Sequence, residues 1–328
     1  MTQVLITGAT GTVGHPISER LIARGDGVRA LVRSPERARA LVPDGVELAA
    51  GDVSDAASVD AAIEGCSVVY HCAGLPEQWR EDVGDFQRVN VEGTRNLVDA
   101  ALATGVERFV YTSTIDVFAW TPGEPFDETT IDPEPRPTHY ERSKQEADRI
   151  VVAALDRGLP AVFLHPAGVY GRAPVLAPGA NEVLAQLAKR EIPMLLPGGF
   201  PVVYSEDVAD GHLTAADSAP VGGRYILSEA YYTLADMARA VQRQAPDAKV
   251  PPVMPFAIAR AVSAVGERIA KVTKKPPLIP RGGLYFLESD SRPVSAHAQK
   301  ELDWTPTSFD DGLARTFAHF RERGWLDA

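Results

Sequence analysis

Gln3-Val4-Leu5-Ile6-Thr7-Gly8-Ala9-Thr10-Gly11-Thr12-Val13-Gly14 is the stretch on which the fold turns. Its first five residues form a short, apolar, β-branched run, the pattern of a strand buried in a parallel sheet. A glycine turn follows at once, and then Ile17, Leu21 and Ile22 recur at helical spacing. Strand, tight turn and helix start together make a mechanism out of a spacing. The glycines let backbone N–H groups approach a pyrophosphate, and the helix dipole favours its charge. The spacing is Gly-x-x-Gly-x-x-Gly rather than Gly-x-Gly-x-x-Gly. A glycine-rich surface turn is the bland alternative, but the flanking strand and helix favour a dinucleotide site.

Outward from that turn the pattern repeats. Val28 to Val32, Val46 to Gly51, Ser67 to Gly74, Arg108 to Thr114 and Ala161 to Pro166 read as further strands, with helical segments between them. The predicted fold is α/β, a doubly wound parallel sheet of the Rossmann type with a smaller, mostly helical C-terminal region. Residues 1–170 are expected to form the dinucleotide-binding domain, with 200–228 returning to it. Residues 171–199 and 229–328 are expected to form the substrate region. In such sheets ligands bind beyond the carboxyl ends of the strands. Gly11, Asp52, Ala73, Thr114 and Tyr140 all fall at or just after those ends.

The second strand ends at Arg33, with Arg37 and Arg39 just beyond. A free ribose 2′-OH is usually met there by an Asp or Glu, whereas a cation suits a 2′-phosphate. NADP is therefore expected over NAD. Asp52 can accept from an adenine amino group, and Ala73-Gly74 lets the backbone pass close to the cofactor. His71 sits mid-strand and reads as a hydrogen-bonded core histidine. Asp85 to Ala103 reads as one long helix carrying Asn90.

Tyr140-Glu141-Arg142-Ser143-Lys144 puts a phenol and an ammonium at i and i+4, on one face of a helix. Such pairs also arise on solvated helix faces. An ammonium near a phenol lowers its ordinary pKa of about 10 and fits it for proton transfer at a carbonyl or alcohol.

Charge and cysteine usage bound the partners. The chain has 328 residues and a net charge of −11, from 44 acidic and 33 basic residues, which argues against a nucleic-acid groove or an anionic membrane surface as its main partner. Cys66 and Cys72 fit no zinc or redox spacing, so no metal is expected and a reducing cytoplasm is. No apolar run approaches the roughly 20 residues that span a bilayer.

These motifs together resemble the extended short-chain dehydrogenase/reductase family over nearly the whole chain. The resemblance rests on Thr7 to Gly14, Gly51-Asp52-Val53, Asn90-Val91-Glu92-Gly93-Thr94, Tyr111-Thr112-Ser113-Thr114 and Tyr140-x-x-x-Lys144. His165-Pro166-Ala167-Gly168-Val169-Tyr170-Gly171 resembles the family's Arg-Pro-x-x-Val-Tyr-Gly segment, with His165 in place of Arg. Leu302-Asp303-Trp304-Thr305-Pro306 resembles its Leu-Gly-Trp-x-Pro segment. In wording the chain is most similar to the 3β-hydroxysteroid dehydrogenase and dihydroflavonol reductase branches. Nucleotide-sugar epimerases and dehydratases usually show Val-Tyr-Gly where Val117-Phe118-Ala119 stands.

The resemblance implies an NAD(P)-dependent oxidoreductase moving a hydride between the nicotinamide and an apolar ketone or secondary alcohol. It implies Tyr140 as general acid/base, Lys144 lowering its pKa and holding the nicotinamide ribose, Thr114 donating to the oxyanion, and Asn90 holding Lys144 or a water. It places the cofactor against Gly8, Thr10, Gly11, Thr12, Val13, Gly14, Arg33, Asp52, Val53, Ala73, Gly74, Lys144 and Pro166. Ser113, Trp120 and Tyr170 are the expected substrate contacts. Family members often pair the Asn90 and Tyr140 helices into a homodimer. A nucleotide-sugar epimerase or dehydratase and a catalytically silent NAD(P)-binding regulatory protein are the competing readings; the intact Thr114, Tyr140 and Lys144 argue against the latter.

Overall fold

The structure is a computed structural model and describes residues 2–327. Its centre is a seven-stranded sheet in which every neighbouring pair is parallel. From one edge the strands are Glu47–Ala50, Gly27–Val32, Gln3–Thr7, Val68–His71, Arg108–Thr112, Ala161–Pro166 and Arg224–Leu227. The order reverses between Gln3–Thr7 and Val68–His71, so a crevice opens at the carboxyl ends of those two strands. Alternation along Gln3–Thr7 serves both faces of the sheet. Val4 and Ile6 pack with Ile17, Leu21, Val208 and Ala215, whereas Leu5 packs with Val59, Leu97, Ala147 and Val151. Helices Gly14–Ala23 and Ser205–Ser218 thus cover one face. Helices Ala56–Ile63, Gly93–Thr104 and His139–Leu155 cover the other.

Two glycines of the first turn are required by close approach. Gly8 has φ +75°, and a Cβ there would lie 2.8 Å from the backbone of Cys72 and Ala73. A Cβ on Gly14 would collide with the Gly8 carbonyl. The first turn and the end of Val68–His71 therefore touch backbone to backbone.

The expected single helix from Asp85 to Ala103 is three pieces. A short α-turn, Gly84–Phe86, leads into a π-helical segment, Gln87–Glu92, and then into the α-helix Gly93–Thr104. The wide segment carries Asn90, and the Thr94 hydroxyl donates to the Asn90 carbonyl at 2.6 Å. Widened turns of this kind concentrate at functional sites.

The C-terminal region adds a three-stranded sheet, Ala230–Thr233, Gly199–Tyr204 and Gly168–Tyr170. Gly199–Tyr204 joins this sheet rather than the main one, so the chain returns to the main sheet only with helix Ser205–Ser218 and strand Arg224–Leu227. Helices Ala180–Ala188, Leu234–Gln244 and Phe309–Glu322 close a separate apolar cluster over the small sheet. Tyr170 belongs to that cluster. It is fully buried against Tyr204 and Phe309, and so does not line a cleft where it would meet substrate. Its hydroxyl is buried with no hydrogen-bond partner.

An unpartnered buried hydroxyl costs free energy that its removal returns. Tyr170→Phe should leave stability unchanged or raise it by about 1 kcal/mol, measured by urea unfolding. A loss of that size or more would show that the hydroxyl is bonded in solution.

Candidate active site

Thr138, just after Pro137, caps the helix His139–Leu155. The Glu141 N–H donates to the Thr138 hydroxyl at 3.1 Å, and the Thr138 N–H donates to the Glu141 carboxylate at 3.2 Å. This reciprocal cap starts the helix at a defined residue and sets Tyr140 in its first turn. Tyr140 is half-buried, with its ring edge-on to Phe86.

Thr114 sits at the end of Arg108–Thr112, where the backbone turns into the short 3-10 segment Ile115–Val117. Its hydroxyl donates to the Asp116 carboxylate at 2.8 Å and accepts from the Asp116 N–H at 3.3 Å. Buried His165 holds the Thr114 carbonyl through Nδ1 at 3.2 Å. Burial keeps His165 neutral, with its pKa down at about 3. The Thr114 hydroxyl lies against the Tyr140 phenol, beside three carboxylates, Asp116, Glu77 and Glu141. Burial and then Asp116 push the phenol well above its ordinary value, so Tyr140 is held protonated. Burial, then Asp116, likewise raises Glu141 to about 7. Burial raises Glu77 to about 6 and lifts Asp116 too. Asp116 Oδ1 and Glu77 Oε2 are buried without partners.

Lys144 is not the perturber of Tyr140 in this structure. Its ammonium donates to the Thr112 carbonyl at 2.9 Å and to the Tyr111 hydroxyl at 3.3 Å. Burial lowers its pKa to about 8. Asn90 does not hold Lys144 either. Its amide donates to the Leu75 carbonyl at 3.1 Å and to the Ser143 hydroxyl at 2.9 Å, while its oxygen accepts from the Leu75 N–H at 2.7 Å. Ser143 in turn donates to the Tyr140 carbonyl at 2.6 Å.

Ser113 is buried and donates to Asp148 at 2.6 Å, on the side paired with Arg224. It therefore cannot stand in for Thr114 or meet substrate as placed. Trp120 lies between Arg136, 3.5 Å over its ring, and Phe126, and its Nε1 donates to the Ser289 carbonyl. With both ring faces covered, it offers substrate no open face. His71 bonds Thr7 and Thr94 and is the core histidine its setting suggested. Asp116, Glu77 and Tyr111 escaped the sequence reading; only the apolar neighbours of Asp116 in Ile115-Asp116-Val117 hinted at a buried charge.

The residues expected to meet a cofactor lie at or just after the carboxyl ends of the strands that flank the crevice. Helix Gly14–Ala23 has no acidic residue in its first turn and no side-chain cap, so its N-terminus is open to an anion. A Cβ on Gly11 would meet only the Gly8 carbonyl, which leaves the outer side of the turn open for close backbone approach. These features fit a dinucleotide pyrophosphate. Val53 packs under Gly93, and Asp52 accepts from the Ser54 N–H and hydroxyl. Arg33 is exposed at the strand end and makes no hydrogen bond or ion pair among the described residues. Gly74 lies against Asn90, and Pro166 ends its strand. A cavity of about 1180 Å³ opens beside Glu77, Phe86 and Thr138, across from Arg260, Ser263 and Tyr285.

A doubly wound sheet with an open glycine turn and a Tyr-x-x-x-Lys helix defines the extended short-chain dehydrogenase/reductase class. The chain belongs to the NAD dependent epimerase/dehydratase family, whose sequence profile matches residues 4–227. It is 30% identical over 327 residues to sterol demethylase protein B of Methylococcus capsulatus, covering 98% of this chain and 99% of that protein. It is 26% identical over 316 residues to 4-hydroxy-2-methyl-3-oxo-4-farnesyl-3,4-dihydroquinoline-1-oxide ketoreductase of Stigmatella aurantiaca, covering 92% and 91% of the two chains. Its fold matches the crystal structure of Thermus thermophilus UDP-glucose 4-epimerase in complex with NAD, with a TM-score of 0.75, 27% identity and coverage of 98% and 99%.

The raised pKa of Glu141 makes a stability prediction. Folding favours its protonated form, so that contribution is fully present below the ordinary carboxylate value of 4.5 and is lost as pH rises through about 7. Glu141→Gln keeps an acceptor for the Thr138 N–H and removes the titration. The stability of the variant relative to the parent should therefore rise between about pH 5 and pH 8, measured by thermal unfolding across that range. A flat difference would show that Glu141 titrates normally.

Proposed function

We propose that the chain is an NADP-dependent reductase or dehydrogenase of apolar ketones and secondary alcohols, with Tyr140 as proton donor and acceptor. The observation that carries this reading is the protonated Tyr140 phenol held against the Thr114 hydroxyl beyond the sheet crevice. When bound, the nicotinamide supplies or removes the hydride. Tyr140 hands its proton to the substrate oxygen as the carbonyl becomes an alcohol, and takes one back in the reverse direction. The Thr114 hydroxyl accepts from the Asp116 N–H and donates to the Asp116 carboxylate, and turning its proton from that carboxylate to the substrate oxygen would supply the contact the developing oxyanion needs. Burial biases Asp116 toward its protonated, hydrogen-bond-donating form, and its free Oδ1 adds a second polar group beside the reacting oxygen. Lys144 would hold the nicotinamide ribose. Asn90, through Ser143, fixes the backbone that carries Tyr140.

Support for an apolar substrate comes from the cleft and from relatives. Arg260 pairs with Glu288, Lys274 with Glu81 and Arg80 with Asp85, so these cations are already matched rather than waiting for a diphosphate. A sterol demethylase protein and a ketoreductase of a farnesylated quinoline are among the similar proteins. Arg33, with no carboxylate beside it at the strand end, supports NADP.

Tyr140→Phe should fold, bind cofactor and lose about 10²–10⁴ in turnover of a ketone. Lys144→Ala should weaken both turnover and cofactor affinity. A Tyr140→Phe protein with normal turnover removes Tyr140 from the chemistry. Net cofactor reduction by a free secondary alcohol, followed at the NADPH absorbance band, separates this reading from an epimerase, whose cofactor ends each cycle unchanged.

Arg33→Asp should reverse the preference of NADPH over NADH, read as the ratio of the two dissociation constants. A wild type that binds NADH more tightly than NADPH would overturn the cofactor assignment.

A further inference from the structure

Helix Phe256–Thr273 has two uses for its surface. Ala259, Ser263 and Ala270 are buried, and Arg260 and Ser263 turn toward the cleft lined on its other side by Glu77, Phe86 and Thr138. The opposite side carries Ile258, Ala261, Val265, Ile269 and Val272, a run at three- and four-residue spacing that forms one stripe. This stripe faces solvent: Val265 and Ile269 are each more than half exposed, Val272 is 84% exposed, and Leu278 on the following loop is 88% exposed. Between the helix and Pro276–Leu278 runs an apolar groove of about 640 Å³. Contiguous exposed apolar surface of this kind marks an interaction site.

Its charge identifies the partner. Residues 251–281 hold Arg260, Arg268, Lys271, Lys274, Lys275 and Arg281 against the single acid Glu267, a net of +5 in sequence within a chain whose total is −11; Glu288 and Glu81, outside this stretch, pair with Arg260 and Lys274 and reduce it to +3. Arg268 and Lys275 flank the stripe, are exposed, and make no ion pair among the described residues. An apolar helix face bordered by cations matches an anionic lipid surface, where apolar side chains enter the acyl boundary and cations meet the headgroups. No described helix is long and apolar enough to cross a bilayer. We propose that helix Phe256–Thr273 and the Lys274–Leu278 loop dock the protein peripherally on an anionic membrane. The overall negative charge does not prevent this, because screening within about 10 Å lets the local patch act alone.

Docking this way holds the cleft at the bilayer surface, since one helix serves both. An apolar substrate dissolved in lipid then has a short path to Tyr140. That consequence rests on the apolar-carbonyl reading; the docking does not, and its test reads no turnover.

The test is sedimentation with vesicles at about 0.1 M salt, where screening reaches about 10 Å, using phosphatidylcholine alone or three parts phosphatidylcholine to one of phosphatidylglycerol. The wild type should sediment with the anionic vesicles and weakly or not at all with the neutral ones. Val272→Glu with Leu278→Glu, both at exposed positions, should abolish sedimentation. Arg268→Glu with Lys275→Glu should weaken it by about tenfold or more. Failure of the wild type to bind anionic vesicles, or variant binding equal to it, overturns the proposal. So does light scattering that shows a wild-type dimer turned into a monomer by Val272→Glu with Leu278→Glu, because the stripe then covers a second copy.

Discussion

The Asn90 side chain commits both amide N–H groups and its oxygen to two places, the Leu75 backbone and the Ser143 hydroxyl. Leu75 follows the Ala73-Gly74 turn that faces the cofactor crevice, and Ser143 sits on the helix that carries Tyr140. One buried amide thus ties the segment after the fourth strand to the helix that carries Tyr140. The π-helical widening at Gln87–Glu92 is what lets an asparagine reach both, because it turns this side chain out of the regular helical register. The contact at Gly8 ties the same region to the first turn. The placement of Tyr140 relative to the first turn therefore rests on two close contacts rather than on the sheet alone.

Around that frame the electrostatics oppose ionisation. Three carboxylates surround the phenol of Tyr140, and each is pushed toward its neutral form by burial. A neutral cluster is the lower-energy state of such a pocket, since isolated buried charges are costly. Burial by itself keeps the phenol protonated, and any of these carboxylates that does ionise adds to that preference, while the Lys144 ammonium is stabilised by the Thr112 carbonyl.

Much of the fold was legible in the sequence, because parallel strands read as short apolar runs and the glycine turn has a steric cause. The doubly wound sheet and the crevice beyond its strand ends followed from them, whereas Gly199–Tyr204 went to the small sheet instead. What was not legible depends on side-chain direction. The π-segment leaves the periodicity of residues 85–103 nearly intact, so one helix was the natural reading. Tyr170 lies in a motif that resembles a site, yet Gly312 opens just enough room for it inside the second core. Ser113 and Thr114 are adjacent along an extended chain, so they point to opposite sides, and only one can face Tyr140. Lys144 sits at the right spacing, but spacing does not say which acceptor an ammonium chooses.

The position of Gln3–Thr7 has a consequence for biogenesis. This strand is synthesised near the start of the chain but ends in the sheet's interior, paired with Gly27–Val32 on one side and Val68–His71 on the other. At the far edge, Ala161–Pro166 awaits Arg224–Leu227. Pairings so distant along the chain form slowly, because loop closure must come first. During translation, then, the edge of Gln3–Thr7 that takes Val68–His71 stands unpaired until residues beyond 71 have left the ribosome, even once Gly27–Val32 has paired on the other side. The nascent chain is a natural client for a holdase over that interval.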